Sequence, residues 1–337
     1  MFPLNQIKLI LENTNPHSLE DLAQKARTVR QHYFGRAISL YAPLYLSNFC
    51  SSHCTYCGFH SHNKIKRFKL TAEEMHKEMS YVSNQGIENI LLLTGESYAV
   101  TPTSYLKEAV DVAKNYFPSI SLEVHPMEKE EYRELFLQGV DGITVYQETY
   151  DREVYSKVHI SGKKADYDYR YGTPERAAKA GIRQISMGIL LGLTDIATDL
   201  LCLYNHLRFM EKNFPGVEYS LSFPRLKSIK GENFSQGHVD DATFIKVICL
   251  TRILFPRVGI NLSTREDATL RDHILELGVT KMSAGSNTSV GGYTLKTAQE
   301  QDPQFDVEDQ RSVKEVVALL KQRHFDPVFT DWRRVEQ

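Results

Sequence analysis

Short runs rich in Val, Ile, Leu and Tyr alternate along the chain with longer segments whose apolar residues recur every three to four positions. This alternation predicts repeated strand–helix units. The strand candidates are Ile38–Leu46, Asn89–Thr94, Ser119–His125, Gly142–Gln147, Gln184–Ile189, Glu218–Phe223, Gly259–Thr264 and the short Lys281–Ala284. Helical patterns occupy Ala72–Gln85, Thr103–Tyr116, Lys129–Leu137, Thr173–Ala180, Thr198–Asn213, Asp241–Leu254, Asp267–Leu277 and Ser312–Arg323. Eight such pairs predict an α/β fold, a (β/α)8 TIM-type barrel. The expected organisation is an N-terminal helical segment over 1–35, the barrel over 36–300, and a C-terminal helix and tail over 301–337 that close it.

A barrel of this type places its chemistry at the C-terminal ends of the strands and in the loops that follow. Polar residues stand there at nearly every strand. A cysteine cluster follows the first, Thr94-Gly95-Glu96 end the second, Glu123 and His125 the third, and Gln147-Glu148 the fourth. Gly188 to Gly192 follow the fifth, Arg225 the sixth, Arg265-Glu266 the seventh, and Ser283 with Ser286 the eighth. Packing alone does not explain such residues at one end of the sheet.

Composition narrows the partners. A formal charge of -2 gives no general attraction to nucleic acid or to an anionic membrane. No window reaches the roughly 18 apolar residues of a membrane span, and the first residues lack a basic start and a small-residue cleavage site. A cytoplasmic enzyme acting on small molecules is expected, with no membrane or nucleic-acid partner. Of the 5 cysteines, Cys202 and Cys249 lie in apolar helical patterns and read as core. The other three, Cys50, Cys54 and Cys57, share one loop.

Three clustered thiols in a reducing compartment read as a metal site rather than a disulfide framework. Zinc wants four protein ligands, and His53, His60 or His62 offers a fourth. A cubic iron–sulfur cluster held by only three cysteines instead keeps one iron open to a small molecule.

The spacing Cys-x-x-x-Cys-x-x-Cys, with the aromatic Tyr56 before the last cysteine, resembles the signature of the radical S-adenosylmethionine (SAM) superfamily. The resemblance extends from about Leu19 to Trp332 through LYLSN, CTYCGF, NKIKR, LLLTGE, VYQETY, TPERA, SFPRL, LSTRE, GGY and PVFTDW, which are similar to the 2-iminoacetate synthase family, tyrosine lyases of thiamine biosynthesis. It implies a 4Fe–4S cluster on Cys50, Cys54 and Cys57, with SAM on the open iron. It further implies that Gly95 and Glu96 take the SAM ammonium, that Gln147 borders the ribose and Gly188 to Gly192 the adenine, and that Tyr56 of the cysteine motif also touches the cofactor. Arg170 would pair with the SAM carboxylate, with Arg176 as the alternative.

The implied reaction begins with hydrogen abstraction from the amino group of L-tyrosine by a 5′-deoxyadenosyl radical. Cα–Cβ cleavage follows, giving p-cresol and 2-iminoacetate. Such a substrate needs its carboxylate clamped, for which Arg265 is the first candidate and Arg225 the second. Glu123 is a candidate for the amine, Ser283 and Ser286 for the carboxylate or amine, and a structural ion pair of Arg265 with Glu266 or another rim carboxylate is the competing reading. Tyr45, Ser47, Tyr98, Tyr146 and His125 are candidates for the aromatic pocket. The basic run Lys64, Lys66, Arg67 and Lys69 reads as a solvated face or a dock for a flavodoxin- or ferredoxin-type reductant, and a thiazole synthase subunit is the implied receiving partner. With no cysteine after Cys249, the second-cluster chemistry of the hydrogenase-maturation relatives is not expected. The related lyases acting on L-tryptophan are the alternative.

Overall fold

Apolar runs with no polar alternation are buried on both faces, and they form the staves of a closed barrel. The computed structural model describes residues 3–227, 237–295, 301 and 304–330, so that Trp332 and the end of the expected tail, 331–337, lie outside the described residues. The strands are β1 Ala37–Ser47, β2 His53–Cys54, β3 Asn89–Thr94, β4 Ser119–Glu123, β5 Gly142–Glu148, β6 His159–Ser161, β7 Gln184–Ile189, β8 Glu218–Ser222, β9 Gly259–Leu262, β10 Lys281–Ser283 and β11 Asp326–Val328. The helices are α1 Leu4–Glu12, α2 Pro16–Phe34, α3 Ala72–Asn84, α4 Thr103–Ala113, α5 Lys129–Gln138, α6 Arg152–Val158, α7 Tyr167–Tyr171, α8 Thr173–Ala180, α9 Ile196–Asn213, α10 Asp241–Leu254, α11 Ala268–Ile274 and α12 Val313–Gln322.

The parallel order is β10-β9-β8-β7-β5-β4-β3-β1, and β10 pairs back onto β1 through Ser39–Tyr41, which closes an eight-stranded barrel. The weak eighth strand expected at Lys281–Ala284 is therefore the closing stave. β1 is long because it serves three neighbours: Ala42–Ser47 run beside β3, while Ala37–Ser39 run beside β11, an unpredicted ninth strand.

The N-terminal end of the barrel is sealed. Arg30 of α2, nearly fully buried, donates to the carbonyls of Val279 and Ala37 and lies over the Phe325 ring. Helix starts follow local chemistry: Thr71 with Glu74 and Ser312 with Glu315 form reciprocal capping boxes, and Asp195, Asp240 and Asp267 cap α9, α10 and α11. Chemistry is left to the opposite end.

Candidate active site

A cavity of about 700 Å³ opens among the C-terminal strand ends, and Cys50, Cys54 and Cys57 line it together with Gly95, Glu96, Glu123, Arg170, Arg265 and Ser283. Tyr56 lines it as well, its hydroxyl 2.7 Å from His159 Nε2.

The cysteine loop is held from four sides. β2 pairs antiparallel with β6, and Thr55 N–H donates to Val158 at 3.0 Å. Gly162, at φ +86, comes so close that a Cβ there would sit 2.5 Å from Ser52 Cα. Arg67 is neither a solvated charge nor a dock: its guanidinium donates to the carbonyls of Asn48, Phe59, His60 and Asn63 at 2.6–3.2 Å. On the fourth side Gly95 N–H donates to Ser47, and a Cβ on Gly95 would meet Phe49 O at 2.4 Å, so only glycine lets β3 approach the loop. Burial pushes the Cys50 thiol up to about 11, helped by Cys57 and Glu96, and raises Cys54 too; iron binding must displace those protons. Among the described residues, the metal-ligand atoms that gather within 4.8 Å of one another belong to His53, His60 and His62, and the three cysteine sulfurs do not form such a group.

Beside the cysteines is a buried charge group. Arg170 donates to Tyr146 O and Glu96 Oε1, both at 2.6 Å, and Lys164 Nζ lies 2.8 Å from Glu148 Oε1. Burial opposes the Arg170 charge, but Glu96, Tyr155 and Glu148 outweigh it and hold it above its ordinary range. Burial likewise opposes the Glu96 charge, yet Arg170 and Lys164 hold its carboxyl below the usual carboxylate range. Glu96 Oε2 is buried without a hydrogen-bond partner. An orphaned carboxylate oxygen beside three cysteines fits an incoming ammonium. These residues thus fit a three-cysteine cluster with an amino-acid-like cofactor beside it. Arg176, the alternative, is turned elsewhere, donating to Met127, Tyr169 and Thr173.

Gln147 does not line the cavity. Alternation along β5 directs Thr144, Tyr146 and Glu148 into it, so Gln147 points the other way, buried with Nε2 unpartnered. The strand end carries a register shift at Tyr146/Glu148, and Glu148 adopts φ +71. Strain of this kind in a non-glycine residue collects at functional sites. Gly188 and Gly192 also lie off the cavity; Gly188 meets Ser222 O and the Tyr146 ring, Gly192 meets Gly237, and Leu190 between them lines the cavity instead.

On the far wall the two candidate arginines separate. Arg225 is committed to Glu266 and to Asp241. Arg265 has no ion pair among the described residues; it stacks 4.0 Å over Phe305 and donates to Arg225 O at 3.1 Å. Glu266 therefore belongs to Arg225, not to its sequence neighbour. Glu123 is raised to about 7 by burial and by Glu148, against Lys164, Arg170 and Arg265. Ser283 Oγ accepts from Thr264 N–H at 3.0 Å, which supports the backbone before Arg265. Tyr45 and Tyr146 line the cavity, whereas Ser47, Tyr98, His125 and Ser286 do not. His125 is instead buried against the Tyr98 ring, 4.0 Å away, and burial lowers it to about 4.

Sequence reasoning missed Lys164 and Gln304. Gln304 accepts from Tyr45 at 2.6 Å and donates toward Cys57 Sγ at 3.8 Å. Neither carries a local signal, because both reach the site from segments outside the barrel strands.

Residues 44–201 match the Radical SAM superfamily model, and 222–326 match the Biotin and Thiamin Synthesis associated domain. The 2-iminoacetate synthases of Salmonella typhimurium and Escherichia coli are each 38% identical over 315 residues, covering 93% of this chain and 83% of the relative. Among solved structures, HydG, a maturase of the FeFe-hydrogenase, superposes with a TM-score of 0.91 at 30% identity over 98% of this chain and 73% of that one. HydG from Carboxydothermus hydrogenoformans gives 0.90 at 34%, over 97% and 76%. Identity of this extent, shared by a barrel whose mouth gathers the cysteines, Glu96 and Arg265, assigns the chain to the 2-iminoacetate synthase family of radical SAM lyases.

Proposed function

We propose that this enzyme cleaves the Cα–Cβ bond of L-tyrosine to 2-iminoacetate and p-cresol, consuming SAM to 5′-deoxyadenosine and methionine, and so supplies the thiazole moiety of thiamine. The observation that carries the reading is Arg265, an arginine without a carboxylate partner among the described residues, lining the same cavity as the three cysteines.

Cys50, Cys54 and Cys57 hold the 4Fe–4S cluster, which together with SAM supplies the electron transfer and the hydrogen-abstracting radical. Glu96 Oε2 accepts from the SAM ammonium, with the Gly95 backbone beside it. Arg170 positions Glu96 and would pair with the SAM carboxylate. Tyr56 and Leu190 border the nucleoside, while Gln147, Gly188 and Gly192 support that wall from outside the cavity.

Arg265 grips the tyrosine carboxylate through a two-point bond that leaves the amino nitrogen toward the cysteine side. Glu123, titrating near neutrality, accepts from that amine when ionised. Ser283 holds the Thr264 backbone and with it the approach of Arg265. Deeper in the cavity Asn261 presents Oδ1, buried and unpartnered, as an acceptor for the phenol hydroxyl. The exposed Lys64 and Lys66 beside the cysteine loop suit an acidic flavodoxin- or ferredoxin-type reductant.

The test is an anaerobic incubation of reconstituted enzyme with SAM, dithionite and each aromatic amino acid in turn. Stoichiometric p-cresol and 5′-deoxyadenosine from tyrosine are expected. Consumption of tryptophan alone would overturn the substrate.

A further inference from the structure

The cysteine loop carries a second set of ligands that the reaction does not use. His53, between Cys50 and Cys54, comes from β2; His60 and His62 come from the turn after Cys57. One ring nitrogen from each lies within 4.8 Å of the other two. The His53 ring stands 5.0 Å from that of His60 and 4.3 Å from that of His62. None of the three lines the catalytic cavity.

The geometry points to a second metal site in which His53, His60 and His62 bind one divalent first-row transition ion, zinc in particular, and brace the cysteine loop from outside. The backbone that presents them is already fixed: Ser61 N–H donates to Ser52 O at 2.9 Å, Asn63 N–H to His60 O at 3.0 Å, and Arg67 binds the carbonyls of His60 and Asn63. To reach the roughly 2.0–2.1 Å at which imidazole holds zinc, the His53 and His60 rings, which stack at an interplanar angle of 18°, must turn toward a common point. Ser61 Oγ lies 3.2 Å from His62 Nδ1; accepting that proton fixes the tautomer and leaves Nε2 free to ligate, as outer hydrogen bonds do for metal-bound histidine. Three imidazoles, with no carboxylate in the group and Lys64 and Lys66 nearby, select zinc, cobalt, nickel or copper over magnesium or calcium. A fourth position remains for water. Because His53 sits inside the Cys50–Cys54 span, an ion shared with His60 and His62 ties the two halves of the cluster-binding loop together. The site is independent of which amino acid the enzyme cleaves.

The experiment titrates zinc, and separately cobalt, into anaerobically reconstituted holoprotein whose cysteines are already occupied by iron. One equivalent per chain is expected. His62→Ala, a change at an exposed side chain, should weaken binding by more than the ~10–100-fold typical of losing an outer-sphere partner, and Ser61→Ala should weaken it within that range. Iron content should be unchanged in both, which reports intact folding, and His60→Gln serves as the second ligand variant. Absence of a stoichiometric zinc equivalent, or wild-type zinc affinity in both His62→Ala and His60→Gln, overturns the site. Zinc should also slow the release of iron to a chelator several-fold in the wild type. A release rate indifferent to zinc overturns the bracing role.

Discussion

Replacing Arg265 separates a substrate clamp from a structural cation. A bidentate carboxylate bond consists of two charge-assisted hydrogen bonds of about 1.5–3 kcal/mol each, so Arg265→Ala should cost about 3–5 kcal/mol, or roughly 10²–10⁴-fold, in kcat/KM for tyrosine. The fold should hardly notice. The ring stack on Phe305 contributes about 0.5–1 kcal/mol and the bond to Arg225 O about 1 kcal/mol, and among the described residues no carboxylate loses an ion pair. Arg225→Ala should do the reverse, because Glu266 is only 2% exposed and loses its partner at a cost of about 3–5 kcal/mol. Anaerobic turnover read as p-cresol per 5′-deoxyadenosine, beside urea unfolding of both variants, gives the comparison. Arg265→Ala should lower the ratio while still cleaving some SAM, and Arg265→Lys should recover a part. An unchanged ratio in Arg265→Ala, or a stability loss as large as that of Arg225→Ala, would refute the clamp.

Three further outcomes follow from the geometry. Gly95→Ala places a methyl 2.4 Å from Phe49 O and 3.2 Å from Cys50 Cβ, so the variant should reconstitute with much less iron, whereas Gly216→Ala, with nothing within 4 Å, should keep its full complement; iron analysis decides. Glu123 keeps its proton in the folded chain up to about 7 but only to about 4.5 when unfolded, so its contribution is complete below the lower value and is lost as pH rises through the upper one. That difference is worth up to about 3 kcal/mol, and Glu123→Gln should flatten stability between pH 5 and 8; parallel urea curves would contradict it if both proteins kept the same slope. Asp309 and Arg271 form an ion pair with neither side chain exposed, joined by Arg311 at 2.6 Å, so Asp309→Ala should destabilise by about 3–5 kcal/mol, and adding Arg271→Met should restore part of it in chemical denaturation.

Local patterns made the barrel legible because each strand–helix unit is specified within some thirty residues. The four inner residues of NILLLT are all apolar because β3 is covered on both faces, and Thr71-x-x-Glu74 announces the start of α3 without help from the rest of the chain. The cysteine loop is equally local, which is why its chemistry could be read from eight residues. What failed depended on contacts far apart in sequence. β11 is three residues long and exists because the start of β1 extends past β3. Lys164 reaches Glu148 from a turn fixed by the pairing of β6 with β2, a contact no periodicity records. At the end of β5 the error was one of parity. Gln147 and Glu148 are equally polar and adjacent, and the face each takes follows from the pleat of β5 and the bulge at its end. The two arginines show the same limit from the other side. In LSTRE the natural partner for Arg265 is its neighbour Glu266, but adjacent residues in an extended segment point apart, and Glu266 meets Arg225 from the preceding strand end instead. Among the described residues Arg265 has no ion pair, because a second arginine, forty residues earlier, satisfies the carboxylate beside it. A binding site for an anionic substrate is therefore created here by what the neighbouring ion pair removes, and a single sequence has no way to display that subtraction.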